Sequence, residues 1–457
     1  MKRLALAAII AAAAMVIDAE TACVQAAVSE QEAQKLKSTL TPLGGERAGN
    51  ADGSIPAWDG GYTKTPSGYV SGTPRPDPFA DEKPLYTVTS ANVAQYQDRL
   101  SEGELELLKR YADYKINVYP THRTAAAPEF VYENTLKNAT RAKTANGGLS
   151  VNGAFGGIPF PIPQDGFEAM WNHLLAWKGA VYAELGTNYL NTADGRLVLL
   201  SESSSQGEYP YYMKGGSPDN FGGIYLRQVV IGVDPPNQAG TATILYNPID
   251  PYRDGQPAWQ YLPGQRRVRK APSLAYDTPN FFNSGVGQMD DFDIFYGALD
   301  RYDFKLIGKK EMIVPYNSNR VRLVPPTQLF KGRTLNAENF RWELHRVWVV
   351  EASLAQGKRN AVAKRKFYLD EDTWQALIGE EWDGSGKLWR HIVGLPLLIF
   401  DAPAVALWGT YTYDLHTGIV AGIAMSDPSL KPSYQILPKP YPAEFFTPDG
   451  IAARMSR

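Results

Sequence analysis

The run from Arg341 to Leu354, RWELHRVWVVEASL, decides how the rest of the chain is read. Its side chains alternate with a period of two. His345, Val347, Val349 and Glu351 fall on one side, and Arg346, Trp348, Val350 and Ala352 on the other. This is the spacing of a β-strand, whose successive Cβ atoms point to opposite faces. The same texture extends in both directions. AVYAELGTNYL (180–190), GRLVLLSES (195–203), IYLRQVVIGV (224–233), ATILYN (242–247), AWQYL (258–262), YDFKLIGKKEMIVPYN (302–317) and GTYTYDLHTGIVAGIAM (409–425) read as strands separated by Gly, Pro, Asn and Asp. NTADGR (191–196), LDEDTW (369–374) and DGSGK (383–387) are short enough to join antiparallel neighbours. No long helix intervenes, so one large antiparallel sheet is expected rather than βαβ units.

Upstream of about Ala180 the pattern changes. Ser29 with Glu32, and Ser101 with Glu104, have the spacing of a helix-capping box. Helices are expected from Ser29 to Ser38, Ser90 to Leu100, Ser101 to Arg110, Pro128 to about Lys143, and Gly166 to Trp177. The last places Phe167, Met170, Trp171 and Leu174 on one face. Between the first two lies LTPLGGERAGNADGSIPAWDGG (40–61), dense in turn residues yet carrying Ile-Pro-Ala-Trp. A tether has no use for such an anchor. The expectation is an ordered strap, stiffened by Pro42 and Pro56 and held by burial of Trp58.

The first 27 residues read as a Sec-type signal peptide, with two positive charges, an apolar run too short for a comfortable span, and small residues around Ala26 and Ala27 for cleavage. The only cysteine, Cys23, follows Glu-Thr-Ala, a poor lipobox, and is discarded with the signal. A mature chain without cysteine suits an oxidising compartment. Cleavage removes two charges of each sign, leaving the net charge at −2. That balance argues against nucleic-acid binding, which calls for a basic excess.

Most motifs that suggest chemistry are incomplete. Gly-Ser-Gly-Lys in DGSGKLW (383–389) lacks the hydroxyl residue and the helix of a phosphate loop, and reads as a hairpin turn. NADGS (50–54) lacks the closing glutamate of a calcium loop, and GGSPD (215–219) is not a nucleophile elbow. The five histidines are scattered, so no metal and no cofactor is expected. The acidic cluster Asp290, Asp291, Asp293, Asp300 and Asp303 offers paired carboxylates for a hydrolase, or partners for Arg301 and nearby lysines. Arg266, Arg267, Arg269 and Lys270 form a basic patch, suited to an anionic head group or acidic partner, or simply to a protected sheet edge.

Six stretches together resemble the domain-of-unknown-function family 1329: 40–61, DPFADEKPLYT (77–87), GGIPFPIPQDGFEAMWNHLL (156–175), WQYLPGQRRVRKAPSLAYDTP (259–279), DDFDIFYGALDRYDFKLIGKKEMIVPYN (290–317) and KRKFYLDEDTWQALIGEEWDGSGKLWR (364–390). That family is similar to the LolA/LolB superfamily. The resemblance implies an α+β, mainly β fold: a curved antiparallel half-barrel covered by helices, with an extended N-terminal strap. It divides the chain into a signal peptide (1–27), a strap and helical region (28–145) and the β domain (146–457). It also implies a periplasmic location and a transport neighbourhood with an outer-membrane β-barrel and a resistance-nodulation-division-type exporter. No catalytic residue comes with it.

The resulting expectation is a non-enzymatic periplasmic carrier or chaperone for a lipid or other hydrophobic ligand. Met170, Trp171 and Leu174 are expected to cover the cavity, the strands of RVWVVEA and KFYLDEDTW to form its walls, and Trp348 to contact ligand. The alternatives are an accessory subunit acting by protein contact, and a hydrolase using the Asp cluster.

Overall fold

The computed structural model describes residues 28–271, 276–425 and 433–456, so the signal-peptide and Cys23 readings lie outside the described residues. Thirteen strands form the body of the main sheet, which counts sixteen among the described residues with three short strands, one of them Gln435–Ile436. A first meander holds β1 (Val181–Asn191), β2 (Leu197–Glu208), β3 (Ile224–Asp234), β4 (Ala242–Pro248), β5 (Ala258–Leu262) and β6 (Arg267–Lys270). A second holds β7 (Tyr302–Pro315), β8 (Trp342–Leu354), β9 (Lys364–Asp370), β10 (Ala376–Trp382), β11 (Leu388–Ile399), β12 (Ala404–Asp414) and β13 (Ile419–Met425). Each meander pairs in sequence order, and β13 joins the two by pairing antiparallel with β1. The edge strands β7 and β6 do not pair with each other among the described residues, so the sheet stays open. A short pair, Tyr86–Val88 and Ile116–Val118, extends it, with Val118 meeting Trp342 in the one parallel contact.

Local chemistry explains the turns. At Asp383–Lys387 the Asp383 carboxylate accepts from the backbone N–H of Ser385 at 2.8 Å and of Lys387 at 3.0 Å, while Gly386 takes φ +80°. Few residues but glycine adopt that angle without strain. The hairpin reading holds, and the lysine serves no phosphate loop.

Among the described residues the α-helices of eight or more residues are α1 (Glu102–Arg110), α2 (Glu129–Arg141), α3 (Gly166–Leu174) and α4 (Pro448–Met455). The Ser101–Glu104 and Ser29–Glu32 capping boxes both form. Ser90–Leu100, expected to be helical, makes two short 3₁₀ turns instead. Asn92 accounts for this. Its side chain accepts from the Thr89 N–H at 2.7 Å and donates to the Thr87 carbonyl at 2.9 Å, competing with a helical ladder.

Both faces of the second meander are buried. Val347 and Val349 share a core with Leu107 and Leu108 of α1 and with Ile55 of the strap. Val350 and Ala352, on the opposite face, share a core with Val131 of α2 and with Met170 and Trp171 of α3. The strap is ordered, as expected, but its anchor is not the expected residue. Ile55 is 1% exposed, whereas Trp58 is only half-buried, donating Nε1 to the Ala125 carbonyl at 2.9 Å with the Arg47 guanidinium over its ring. The indole needs that hydrogen bond at the rim, and the purely apolar Ile55 can go deeper. Trp374 of the 369–374 turn, itself fully buried, donates to the Leu43 carbonyl at 2.7 Å and ties the strap to the sheet.

Candidate functional site

One large cleft opens where the two meanders meet. Counting the open solvent at its mouth, it takes in about 850 Å³ of non-protein space, of which about 90 Å³ is room for the centre of a water-sized molecule. Its wall comes from β1, β2, β3, β12 and β13, and its cover is the loop carrying Phe282, Phe292, Asp293 and Tyr296. Side chains on β1 reach it at Tyr182, Glu184 and Asn188, the two-residue period at work. Opposite Glu184 in the register stands Ser205, and opposite Ser205 stands Val230. Small residues here (Ser203, Ser205, Gly409) leave the volume that larger ones would fill.

The cover is held by a strained segment. Asp293 and Ile294 both have positive φ, +49° and +71°, uncommon for any residue with a Cβ and an outlier for a β-branched one. Ile294 is fully buried in a notch made by two glycines of the sheet. A Cβ on Gly379 would stand 2.5 Å from the Ile294 side chain, and one on Gly394 2.9 Å from it. With Ile294 seated, Asp293 turns to the cleft and accepts from Lys178 Nζ at 2.6 Å. Phe295 accepts through its carbonyl from His173 of α3, 3.0 Å away, while the other His173 ring nitrogen accepts from the Ala376 N–H at 3.1 Å. Burial, aided by Lys178, holds the His173 pKa down at about 4, so the ring is a neutral strut between loop and sheet.

The lining is aromatic but not dry of polar groups. Tyr182 packs between Tyr434, at 5.7 Å, and Trp408, at 5.8 Å, and donates to Gln228 at 2.8 Å. Tyr434 donates to the Lys178 carbonyl at 3.1 Å. Three lining groups are left over: Glu184 Oε2, Trp408 Nε1 and the Tyr296 hydroxyl are buried and have no hydrogen-bond partner among the described residues. Burial pushes the Glu184 carboxyl well above the usual range, with Arg322 pulling the other way.

The expected ligand contacts lie mostly elsewhere. Met170 and Trp171 are buried in the close-packed core between α3 and the sheet, and Leu174 borders only a small recess beside Lys178 and Asp293. Trp348 stacks on Trp374 at 6.0 Å, with Lys309 over its ring, away from the cleft lining. RVWVVEA and KFYLDEDTW contribute no lining residue, because α1, the strap and α3 pack against those strands. Helices thus cover the second meander, while the cover over this cleft is a loop. Arg266, Arg267, Arg269 and Lys270 are exposed at β6, the sheet edge, with α4 packed nearby. Ser203, Ser205, Glu184 and Trp408 were passed over; an acid inside a strand run and serines in place of branched residues were the available signals.

The acidic cluster is divided by its surroundings. Asp291 is buried against Arg365 at 2.9 Å and accepts from the Gln288 N–H at 2.6 Å, in a group that includes Glu381 and Arg390. Asp300 pairs with Lys358 at 3.2 Å, and Asp303 is exposed. Only Asp293 of the five reaches the cleft. One trio of metal-capable side chains, unforeseen from the scattered histidines, does converge among the described residues: His345, Asp370 and Asp372. Each already has partners, although Asp370 Oδ1 has none among the described residues. Arg123 holds both Asp372 oxygens, at 2.6 and 2.8 Å, Asp370 accepts from Tyr316 and Thr373, and His345 meets Glu343 at 2.9 Å.

Known proteins supply a family but little detail. The uncharacterized protein PA3922 of Pseudomonas aeruginosa is 42% identical over 411 residues, covering 88% of this chain and 89% of its own. A solved DUF1329 family protein from Desulfovibrio piger is 12% identical with TM-score 0.40, covering 60% of this chain and 92% of that one. A putative outer membrane lipoprotein-sorting protein domain from Vibrio parahaemolyticus is 14% identical, also at 0.40, over 60% and 93%. The LolA superfamily protein NE2245 from Nitrosomonas europaea is 12% identical with TM-score 0.35, over 60% and 93%. The model of the family described as protein of unknown function (DUF1329) matches residues 87–452, most of the length and the whole of the main sheet, and the chain belongs to that family.

Proposed function

We propose that the protein is a periplasmic carrier that holds a hydrophobic small molecule or lipid in the cleft between the two meanders. The observation that supports it is the cleft itself: an aromatic-lined space of about 850 Å³, mouth included, under a loop rather than a packed helix. Binding would work by removing apolar ligand surface from water, worth about 0.8 kcal/mol per methylene. The open mouth suits reversible loading. No described helix is long and apolar enough to cross a membrane. In this reading Arg266, Arg267, Arg269 and Lys270 serve as an electrostatic docking edge, toward lipid head groups or toward an envelope partner such as an outer-membrane β-barrel or a resistance-nodulation-division-type exporter.

Native mass spectrometry of the protein from periplasm, together with titration of the apolar fluorophore N-phenyl-1-naphthylamine, tests the carrier reading. Ser205→Trp, which places a large ring in the cleft, should weaken fluorophore binding at least tenfold with the fold retained. A protein that carries no small molecule and binds no fluorophore would favour the accessory-subunit reading.

A further inference from the structure

Polar capacity in the cleft is distributed in a way that selects a ligand class. Glu184 is 2% exposed and lines the cleft, with Oε2 unpartnered among the described residues. The Trp408 indole N–H and the Tyr296 hydroxyl, also on the lining, have no partner among the described residues. A buried polar group without a partner is costly, and such groups persist where water or a ligand completes them. The charged groups here come with an opposite charge nearby. Lys178 and Asp293 form an ion pair at 2.6 Å. Glu184 faces the field of Arg322, a 2%-exposed cation whose Nε and Nη1 also lack hydrogen-bond partners. A ligand carboxylate or ammonium entering this site would find no unmatched counter-charge and would have to shed its hydration.

We infer, resting on the carrier reading, that the ligand is a neutral amphiphile whose hydroxyl or primary amide meets Glu184, with its apolar body along Tyr182, Tyr296, Trp408 and Tyr434. A hydroxyl suits Glu184 in either protonation state. It donates to the carboxylate and accepts from the carboxylic acid. A bare hydrocarbon leaves Oε2 unpaired, and a site built to pair a polar group rejects analogues that lack it. The indole N–H offers a second, separate donor for an oxygen further along the ligand.

Displacement of N-phenyl-1-naphthylamine at pH 7.5 by a matched series tests this: 1-decanol, decanoate, decylamine and decane. The expected result is 1-decanol binding about tenfold or more tightly than the other three, a difference of about 1.4 kcal/mol. Glu184→Leu should bring 1-decanol to the level of decane while fluorophore binding persists, and Glu184→Gln should keep most of the preference. Decanoate or decylamine binding as well as 1-decanol, or a preference that survives Glu184→Leu, overturns the inference. Fluorophore binding with no discrimination across the series leaves the carrier reading standing and ends this one. No fluorophore binding at all ends both.

Discussion

Two buried groups of charges in this protein are built to opposite plans. Under the strap, Arg123 donates to both oxygens of Asp372, reaches Glu371 at 3.3 Å and donates to the Glu46 carbonyl at 2.7 Å. Arg346 donates to Glu371 at 2.6 Å and to the Ala48 carbonyl at 2.8 Å, and Lys309 bridges Glu46 and Glu371 at 2.9 Å each. Charge and hydrogen bonds are both met there, and two of the arginines hold strap carbonyls. Glu184 on the cleft wall, and Arg322 outside the lining, are equally buried but keep atoms unpartnered among the described residues. The difference teaches how to read buried charge. A saturated network fastens one part of the chain to another, and an unsaturated one reserves capacity for something that arrives later.

Removing one member of the saturated group should do the most damage. Arg123→Ala leaves Asp372 buried without its cation, while Glu371 keeps Arg346 and Lys309; breaking a buried pair typically costs about 3–5 kcal/mol. Urea unfolding should show that loss, and limited proteolysis should cut the exposed 51–54 turn faster. A loss under about 1 kcal/mol would mean water reaches the group and the contrast fails.

The anchor of the strap comes next. Ile55→Ala should cost about 2–4 kcal/mol as a fully buried apolar truncation. Trp58→Ala, half-buried, should cost only about 1 kcal/mol, mostly for its hydrogen bond. The reverse order would return the anchoring role to the indole.

Acid titration gives a third test. Burial raises Glu168 and Asp290 to about 7 and also pushes up Glu104, Glu184 and Glu380. In the unfolded chain such carboxyls titrate near 4. Between those values the folded protein binds more protons, so stability should rise as pH falls from about 7.5 to about 5.5. His173 and His391, held by burial at about 4 and about 3, oppose this below about 6.5, but against them stand those five together with Asp291 and Asp370, which burial raises to about 7 and about 6. Urea midpoints measured across this range should peak on the acid side of neutrality. Asp290→Asn should raise stability at pH 7.5 and flatten the profile. A midpoint that falls steadily from pH 7.5 would contradict the burial assignments.

The smallest effects belong to the changes that break nothing. Glu184→Gln in the unliganded protein should leave stability within about 0.5 kcal/mol or raise it, since no bond to Oε2 is lost. EDTA should leave the urea midpoint unchanged, because Arg123, Tyr316, Thr373 and Glu343 already engage the His345, Asp370 and Asp372 trio. A midpoint lowered by EDTA and restored by one divalent metal would recast that network as a metal site.

The sequence by itself determined the features that rest on neighbours along the chain. The alternation at 341–354, the Asp383 turn, the capping boxes and the antiparallel pairing across the short 191–196, 369–374 and 383–387 turns follow from local spacing. Which face of which strand stays open was beyond that reach. Alternation marks two faces but not what covers them, and here both faces of β8 are packed while β1 to β3 keep a cleft. That choice depends on contacts between distant segments: Ile294 in a notch of Gly379 and Gly394, α3 filling the core beside β8, and Ile55 sealing its other side. Close packing excludes a ligand wherever a large side chain from elsewhere fits the sheet, and only the folded chain brings those side chains there.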